Sequence, residues 1–257
     1  MSFTVPTIEW AGLAPVLIIL GAGVLGVLFE AFVPRGGRLP VQAGLSVLAI
    51  LGSGVVFVLR WAQVLPQDPR TGQVSPSGRV LAAGISEDPF AVAAQGIMLV
   101  IGLLAVLVMA DLTTAGDGAF AAQAADRPGS AEETESLHHG WTATEVFPLM
   151  LFSLAGMMLF PMVSNFITLF VVLELISLPL YIMAATARHR RLLSQEAALK
   201  YFVLGAFASA FLLLGSAFLY GLSGSVSYTS VAGALAAGGV LGMDWLGLAG
   251  VALVTVG

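Results

Sequence analysis

The chain is 257 residues long, 58% hydrophobic and only 10% charged, with a mean hydropathy of +0.97. Soluble domains carry about 25% charged residues, so a globular enzyme in water is excluded. There is no cysteine, which excludes disulfides, iron–sulfur ligation and thiolate chemistry within these residues. The 15 acids and 10 bases leave a net charge of −5. This is the composition of an all-α protein, a polytopic transmembrane helix bundle.

A bilayer core of roughly 30 Å takes about 20 apolar residues in a helix. The first such run is Trp10 to Phe29, continuing past Glu30 to Val33, and Pro34-Arg35-Gly36-Gly37-Arg38 closes it. No basic stretch precedes Trp10 and no small-residue cleavage site follows, so the run reads as an anchor rather than a cleaved signal. Glu30 lies beside Arg35 and Arg38 and is expected to form an interfacial ion pair. The second run is Val41 to Leu59 and the third Pro89 to Ala110. Residues 1–110 thus form an N-terminal three-helix region.

Residues 111–144 hold Asp111, Asp117, Asp126, Glu132, Glu133 and Glu135 against Arg127, which equals the whole net charge of the chain. Few large apolar residues interrupt them, and a flexible, solvated cytoplasmic loop is expected. His138-His139 could bind a metal but reads as an exposed pair of no special role. No segment shows the basic, aromatic-studded pattern of a nucleic-acid binder.

From Val146 to Ala187 the only charge is Glu174. One helix of that length would reach about 63 Å, twice the bilayer core. It must turn, and Ser164-Asn165, just after Pro161, is the place where residue types favour a turn and a helix cap. The run from Tyr201 to Met243 is free of charge and must also fold back, within the Gly-, Ser- and Thr-rich stretch from Gly221 to Ser230. A last apolar segment begins near Trp245. The expected spans lie near 146–163, 166–187, 195–221 and, in part, 243–257, giving about six complete spans and the start of a seventh. Arg35, Arg38, Arg127, Arg188, Arg190 and Arg191 fall on one side, and Arg60, Arg70 and Arg79 on the other. By the positive-inside rule the loops 34–40, 111–144 and 188–194 are cytoplasmic and the N-terminus is outside.

Chemistry must come from charges left inside the apolar runs. Glu174 sits about eight residues into its span, at a depth where a charged carboxylate costs several kcal/mol unless paired or protonated. Burial favours a neutral carboxyl and an adjacent cation favours the charged one, so a lysine that approaches or withdraws could load and unload a proton. Pro179, five residues later, removes a backbone donor and frees a carbonyl near that carboxylate. Lys200 is the only lysine. Glu196 precedes it by one turn, in the favourable order for a pair. That pair reads either as a surface contact with the lysine reaching outward or as part of a site. Gly205/Ser209 and Ala206/Ala210 recur at spacing four and read as a close packing face.

Two stretches carry a resemblance: LFVVLELISLPL at Leu169–Leu180, and SQEAALKYFVLGAFASAFLLLGSAFLYGLSG at Ser194–Gly224. They resemble subunit N of bacterial NADH:quinone oxidoreductase, respiratory complex I, one of its antiporter-like membrane subunits. The likeness is strongest over about 145–225. Over the first three spans and the acidic loop it rests on topology. It implies a proton-translocating subunit in which Glu174 matches the conducting glutamate and Lys200 a lysine on a partner helix, coupled as a pair, with Glu196 and Pro179 in support. It also implies the bacterial cell membrane and, as partners, other membrane-arm and peripheral-arm subunits within the lipid bilayer. NADH, FMN, iron–sulfur clusters and quinone would be held by those other subunits, with no cofactor or metal here. The alternatives are a subunit of a multisubunit cation/proton antiporter or of a membrane-bound hydrogenase, or a non-conducting scaffold. Full members have about fourteen spans built on inverted repeats. Residues 145–257 would then be an incomplete first repeat, and the chain either a fragment of a longer frame or a truncated version.

Overall fold

The computed structural model describes residues 8–64, 79–111, 120, 130–138, 143–187, 191–237 and 244–257. Helix α1 (Trp10–Phe32) and helix α2 (Arg35–Val64) are joined by Val33 and Pro34 alone. The loop expected over 34–40 is therefore corrected: helix resumes at Arg35. Pro34 fixes the backbone at the turn, and the first N–H groups of the new helix have no internal acceptor to lose. Arg38 reaches back to the Val33 carbonyl at 2.8 Å, a cation at the end of α1.

A β-hairpin follows, β1 (Arg79–Ala82) paired antiparallel with β2 (Ile85–Glu87). Strands this short carry too little periodicity to be read from sequence. Helix α3 (Pro89–Ala110) starts with proline at its first position, and the Asp88 side chain accepts from Ala91 N–H at 2.6 Å. Within the acidic segment, residues 131–138 form a short helix, α4 (Ala131–His138). His139, Arg127, most of that segment and Arg188, His189 and Arg190 lie outside the described residues.

Helix α5 (Val146–Leu159) runs into a 3₁₀ turn, Phe160–Met162. The chain then breaks at Ser164-Asn165, where the Asn165 side chain accepts from Thr168 N–H at 2.7 Å and caps α6 (Phe166–Thr186). Helix α7 (Arg191–Ser223) ends at Gly224, whose φ of +68° suits glycine and whose N–H closes on Tyr220 O at 2.7 Å. Two shorter helices follow, α8 (Tyr228–Ala236) and α9 (Asp244–Val256).

Among the described residues, α1, α2, α3, α6 and α7 are long and apolar enough to cross a membrane. The stretches Val146–Met162 and Trp245–Val256 are shorter. Helix α5 with its 3₁₀ end covers Val146–Met162, against an expected span near 146–163. It is also the best buried helix, packed against α1, α2, α3 and α6. The largest core joins α1, α2, α3 and α5 around Ile19, Leu99, Val106, Phe147, Leu151 and Met158. A row of α6, α7 and α9 extends from α5. Large apolar side chains such as Val108 (73% exposed) and Leu204 (68%) point outward, the arrangement of a bundle solvated by lipid.

The hairpin gathers one end of the bundle. Glu9 N–H donates to Leu81 O at 2.9 Å and Ser164 N–H to Gly84 O at 2.9 Å. Phe166 N–H donates to Val226 O at 3.1 Å. The exposed Arg79 meets Glu9 at 2.5 Å, and that hydrogen bond is the main reason its guanidinium is held above its already high ordinary pKa. Gly84 has a φ of +81°, and a Cβ there would lie 2.1 Å from Asn165 Nδ2. Only glycine fits this turn.

Candidate functional site

Glu174, Ser177 and Tyr181 follow one another at helical spacing on a single face of α6. That face meets α7. Ser209 Oγ donates to Glu174 Oε1 at 2.5 Å, so the half-buried carboxylate is held across the helix pair by a hydroxyl. Tyr181 is buried and lies edge-on to Tyr201, with ring centroids 4.5 Å apart, and to Phe202 at 5.6 Å. Its phenol tip occupies the space that a side chain at Gly205 would take, since a Cβ there would stand 1.8 Å from Tyr181 Oη. Ser177 engages the same phenol through its side chain.

On the other flank of α6, Pro179 is buried inside the helix. Its missing N–H leaves the Leu175 carbonyl, next to Glu174, without its helical donor. The neighbouring Ile176 carbonyl accepts from Ser153 Oγ of α5 at 3.1 Å. Gly156 permits this approach, since a Cβ there would lie 2.7 Å from Ile176 Cγ1 and 3.0 Å from its backbone nitrogen. Glu174 is thus bracketed by a proline-opened backbone and a serine hydroxyl.

Lys200 lies elsewhere. Its Nζ pairs with Glu196 Oε1 at 2.5 Å on an exposed face of α7, with side chains 70% and 58% exposed. Lys200 precedes Ser209 by nine residues, about 13 Å along the helix. The structure does not bring Glu174 and Lys200 into direct contact; each has another partner.

Two more polar clusters cap the bundle. At the end away from the hairpin, Glu30 accepts from Arg38 at 2.8 Å, from Gln42 at 3.0 Å and from Thr144 at 2.8 and 2.9 Å. The expected partner for Glu30 is therefore Arg38. At the hairpin end, Arg60 and Glu87 form a buried bidentate pair with side chains 7% and 2% exposed. From sequence Arg60 stands just past the end of the second apolar run, and in the structure it belongs to α2. Between α2 and α3 a groove of about 490 Å³ is lined by apolar residues including Val55, Phe57, Leu99 and Leu103 and offers no acid or base.

Sequence reasoning passed over Ser209, which it assigned to a packing face, and Tyr181. The usable signal was that Glu174, Ser177 and Tyr181 recur on one helix face. Among the described residues this α6–α7 seam is the one place where an ionisable side chain far from both helix ends meets hydroxyl groups.

The family model described as "NADH:quinone oxidoreductase/Mrp antiporter, TM" matches residues 163–256, the part of the chain that includes the seam. NADH-quinone oxidoreductase subunit N of Beutenbergia cavernae is 47% identical over 261 residues, covering 100% of this chain and 48% of the relative. The subunit N of Mycobacteroides abscessus is 46% identical, covering 98% of this chain and 46% of its own length. The chain spans just under half the length of these curated relatives. Among solved structures, a chain of respiratory complex I from Thermus thermophilus, with bound aureothin, matches with a TM-score of 0.61 at 24% identity, over 95% of this chain and 42% of that one. A chain of the membrane-bound sulfane sulfur reductase, an archaeal respiratory membrane complex, matches with a TM-score of 0.67 at 19% identity, over 96% and 43%. These two likenesses are of fold.

Proposed function

We propose that the chain, similar over its whole length to NADH-quinone oxidoreductase subunit N, belongs to that family and serves as a membrane-arm subunit of a proton-translocating NADH:quinone oxidoreductase. Glu174 is the group that takes up and releases the proton. The observation that carries this reading is a carboxylate about 12 Å into α6, bonded to a hydroxyl rather than to a cation. An ionisable group at that depth is expensive to keep and defaults to a functional role. Pro179 shapes its surroundings. Lys200, paired with Glu196, acts from a distance: a shift of its charge alters the potential at Glu174. The subunit is a translocase component, and NADH, FMN, iron–sulfur clusters and quinone reside on other subunits of the membrane and peripheral arms.

The location is a bacterial inner membrane. The arginine distribution puts the Glu30–Arg38 end in the cytoplasm and the hairpin end outside. In membranes of the native host, Glu174→Gln lowers NADH-driven proton pumping while the complex still assembles. Pumping at the normal rate in an assembled Glu174→Gln complex overturns the reading. One observation favours a second reading, a subunit of a multisubunit cation/proton antiporter: the matching family description names those antiporters too. A non-conducting scaffold requires that Glu174→Ala and Lys200→Ala together leave respiration and pumping intact.

A further inference from the structure

Ser209 differs from Ser216 and Ser223 in the same helix. Ser216 donates to Leu212 O at 2.7 Å and Ser223 to Leu219 O at 2.8 Å, each turning back to the carbonyl four residues earlier. Ser46, Thr186 and Thr255, on α2, α6 and α9, do the same. This back-bond is common for a helical serine or threonine, although Ser53 and Ser153 reach across to backbone carbonyls of a neighbouring helix, at Pro15 and Ile176. Among these serines Ser209 reaches a carboxylate, that of Glu174. Its own back-bonding acceptor would be the carbonyl of Gly205, the residue whose missing side chain admits the Tyr181 phenol.

We propose that Ser209 is a latch for Glu174: its hydroxyl holds the carboxylate on α7 while that group is charged, and turns to the Gly205 carbonyl once the carboxyl is protonated. The inference rests on the reading of Glu174 as the proton-carrying group and adds a positioning residue to it. A hydroxyl donates one proton and accepts through two lone pairs, so either arrangement leaves it satisfied. A charged acceptor draws the hydroxyl more strongly than a peptide carbonyl does. Protonation removes that advantage and frees the Glu174 side chain to turn along the seam. No covalent bond to Ser209 forms or breaks, and the proton that moves is the one on Glu174.

The surrounding groups leave the latch to these two residues. On α6 the titratable neighbour is Tyr181; α7 carries Tyr201 and the outward-facing Lys200–Glu196 pair, with Arg191 and the exposed Tyr220 toward its two ends. Within their helical spans α5 offers no titratable side chain, and α9 offers none after Asp244.

The test is infrared spectroscopy of the full chain in lipid nanodiscs. The Glu174 bands are those lost in Glu174→Gln. A hydrogen bond to one carboxylate oxygen makes the two C–O bonds unequal and widens the gap between the symmetric and antisymmetric stretches. In Ser209→Ala that gap narrows at alkaline pH, and in Ser209→Thr it returns. At acid pH the carbonyl stretch of protonated Glu174 is the same in all three proteins. Carboxylate bands that stay put in Ser209→Ala overturn the latch, and so does an acid-form carbonyl band that moves, since the hydroxyl would then never have let go. Ser209→Thr keeps a hydroxyl in place and separates the bond from any loss of packing. Failure here leaves the Glu174 pumping experiment standing, and failure of that experiment leaves the bands as measured, so the two ideas can fall separately.

Discussion

A single missing side chain sets how close α6 and α7 can come. Gly205 receives the tip of Tyr181, and a methyl group there would collide with the phenol oxygen. Overpacking a tight contact costs about 1–3 kcal/mol, so Gly205→Ala is expected to destabilise the helix pair by that amount. Tyr181→Phe removes the colliding atom, and the double variant should recover most of the loss. Unfolding of the four proteins in mixed micelles, as a double-mutant cycle, measures the coupling. The buried Arg60–Glu87 pair yields a second prediction. Removing one partner leaves a buried charge alone, at a cost of about 3–5 kcal/mol, so Glu87→Ala should be far more damaging than the double replacement Arg60→Met with Glu87→Leu. Equal losses in the two proteins would mean that the pair's environment is wetter than its exposure of 7% and 2% indicates.

Helices were legible because their signals are long, and the joints were less so. The break at Ser164-Asn165 could be read because one helix could not hold so many apolar residues, and Asn165 supplies the cap. The restart at Arg35 was not legible: two glycines and a proline near a charge look like a loop, although the side chain of Arg38 closes the turn. The hairpin escaped for want of pattern, yet it ties α1 to the α5–α6 junction through Leu81 and Gly84. Ser209 escaped because a serine among small residues looks the same whether it packs or bonds. Glu174 and Pro179 stood out through composition alone. At this scale Gly84→Ala is expected to lose about 1–3 kcal/mol through backbone strain, besides its collision with Asn165. Faster hydrogen exchange at Ser164 and Phe166, with α3 unaffected, would show that the hairpin clamps that junction.

The whole molecule divides its labour between a sealed unit and an open row. The α1, α2, α3 and α5 core is closed on itself, while α7 turns large apolar side chains and the Lys200–Glu196 pair outward. Affinity purification of the tagged chain from native membranes in mild detergent is expected to recover an NADH-oxidising assembly with flavin and iron–sulfur centres. Recovery of membrane proteins without redox centres would favour the antiporter reading instead.

Electrical consequences follow from how the charges are paired. Arg38 neutralises Glu30, Arg60 neutralises Glu87, and Lys200 is matched by Glu196. Each pair moves as a dipole of no net charge and responds weakly to a voltage across the bilayer. Glu174 is bonded to a neutral hydroxyl. Moving one elementary charge across the full membrane is worth about 2.3 kcal/mol per 100 mV, and a proton brought to the depth of Glu174 would cross a sizeable fraction of that drop. On the proposed role of Glu174, the occupancy of this one carboxylate would be tied to the membrane potential itself, and the seam between α6 and α7 would act as a voltmeter as well as a step in a proton path.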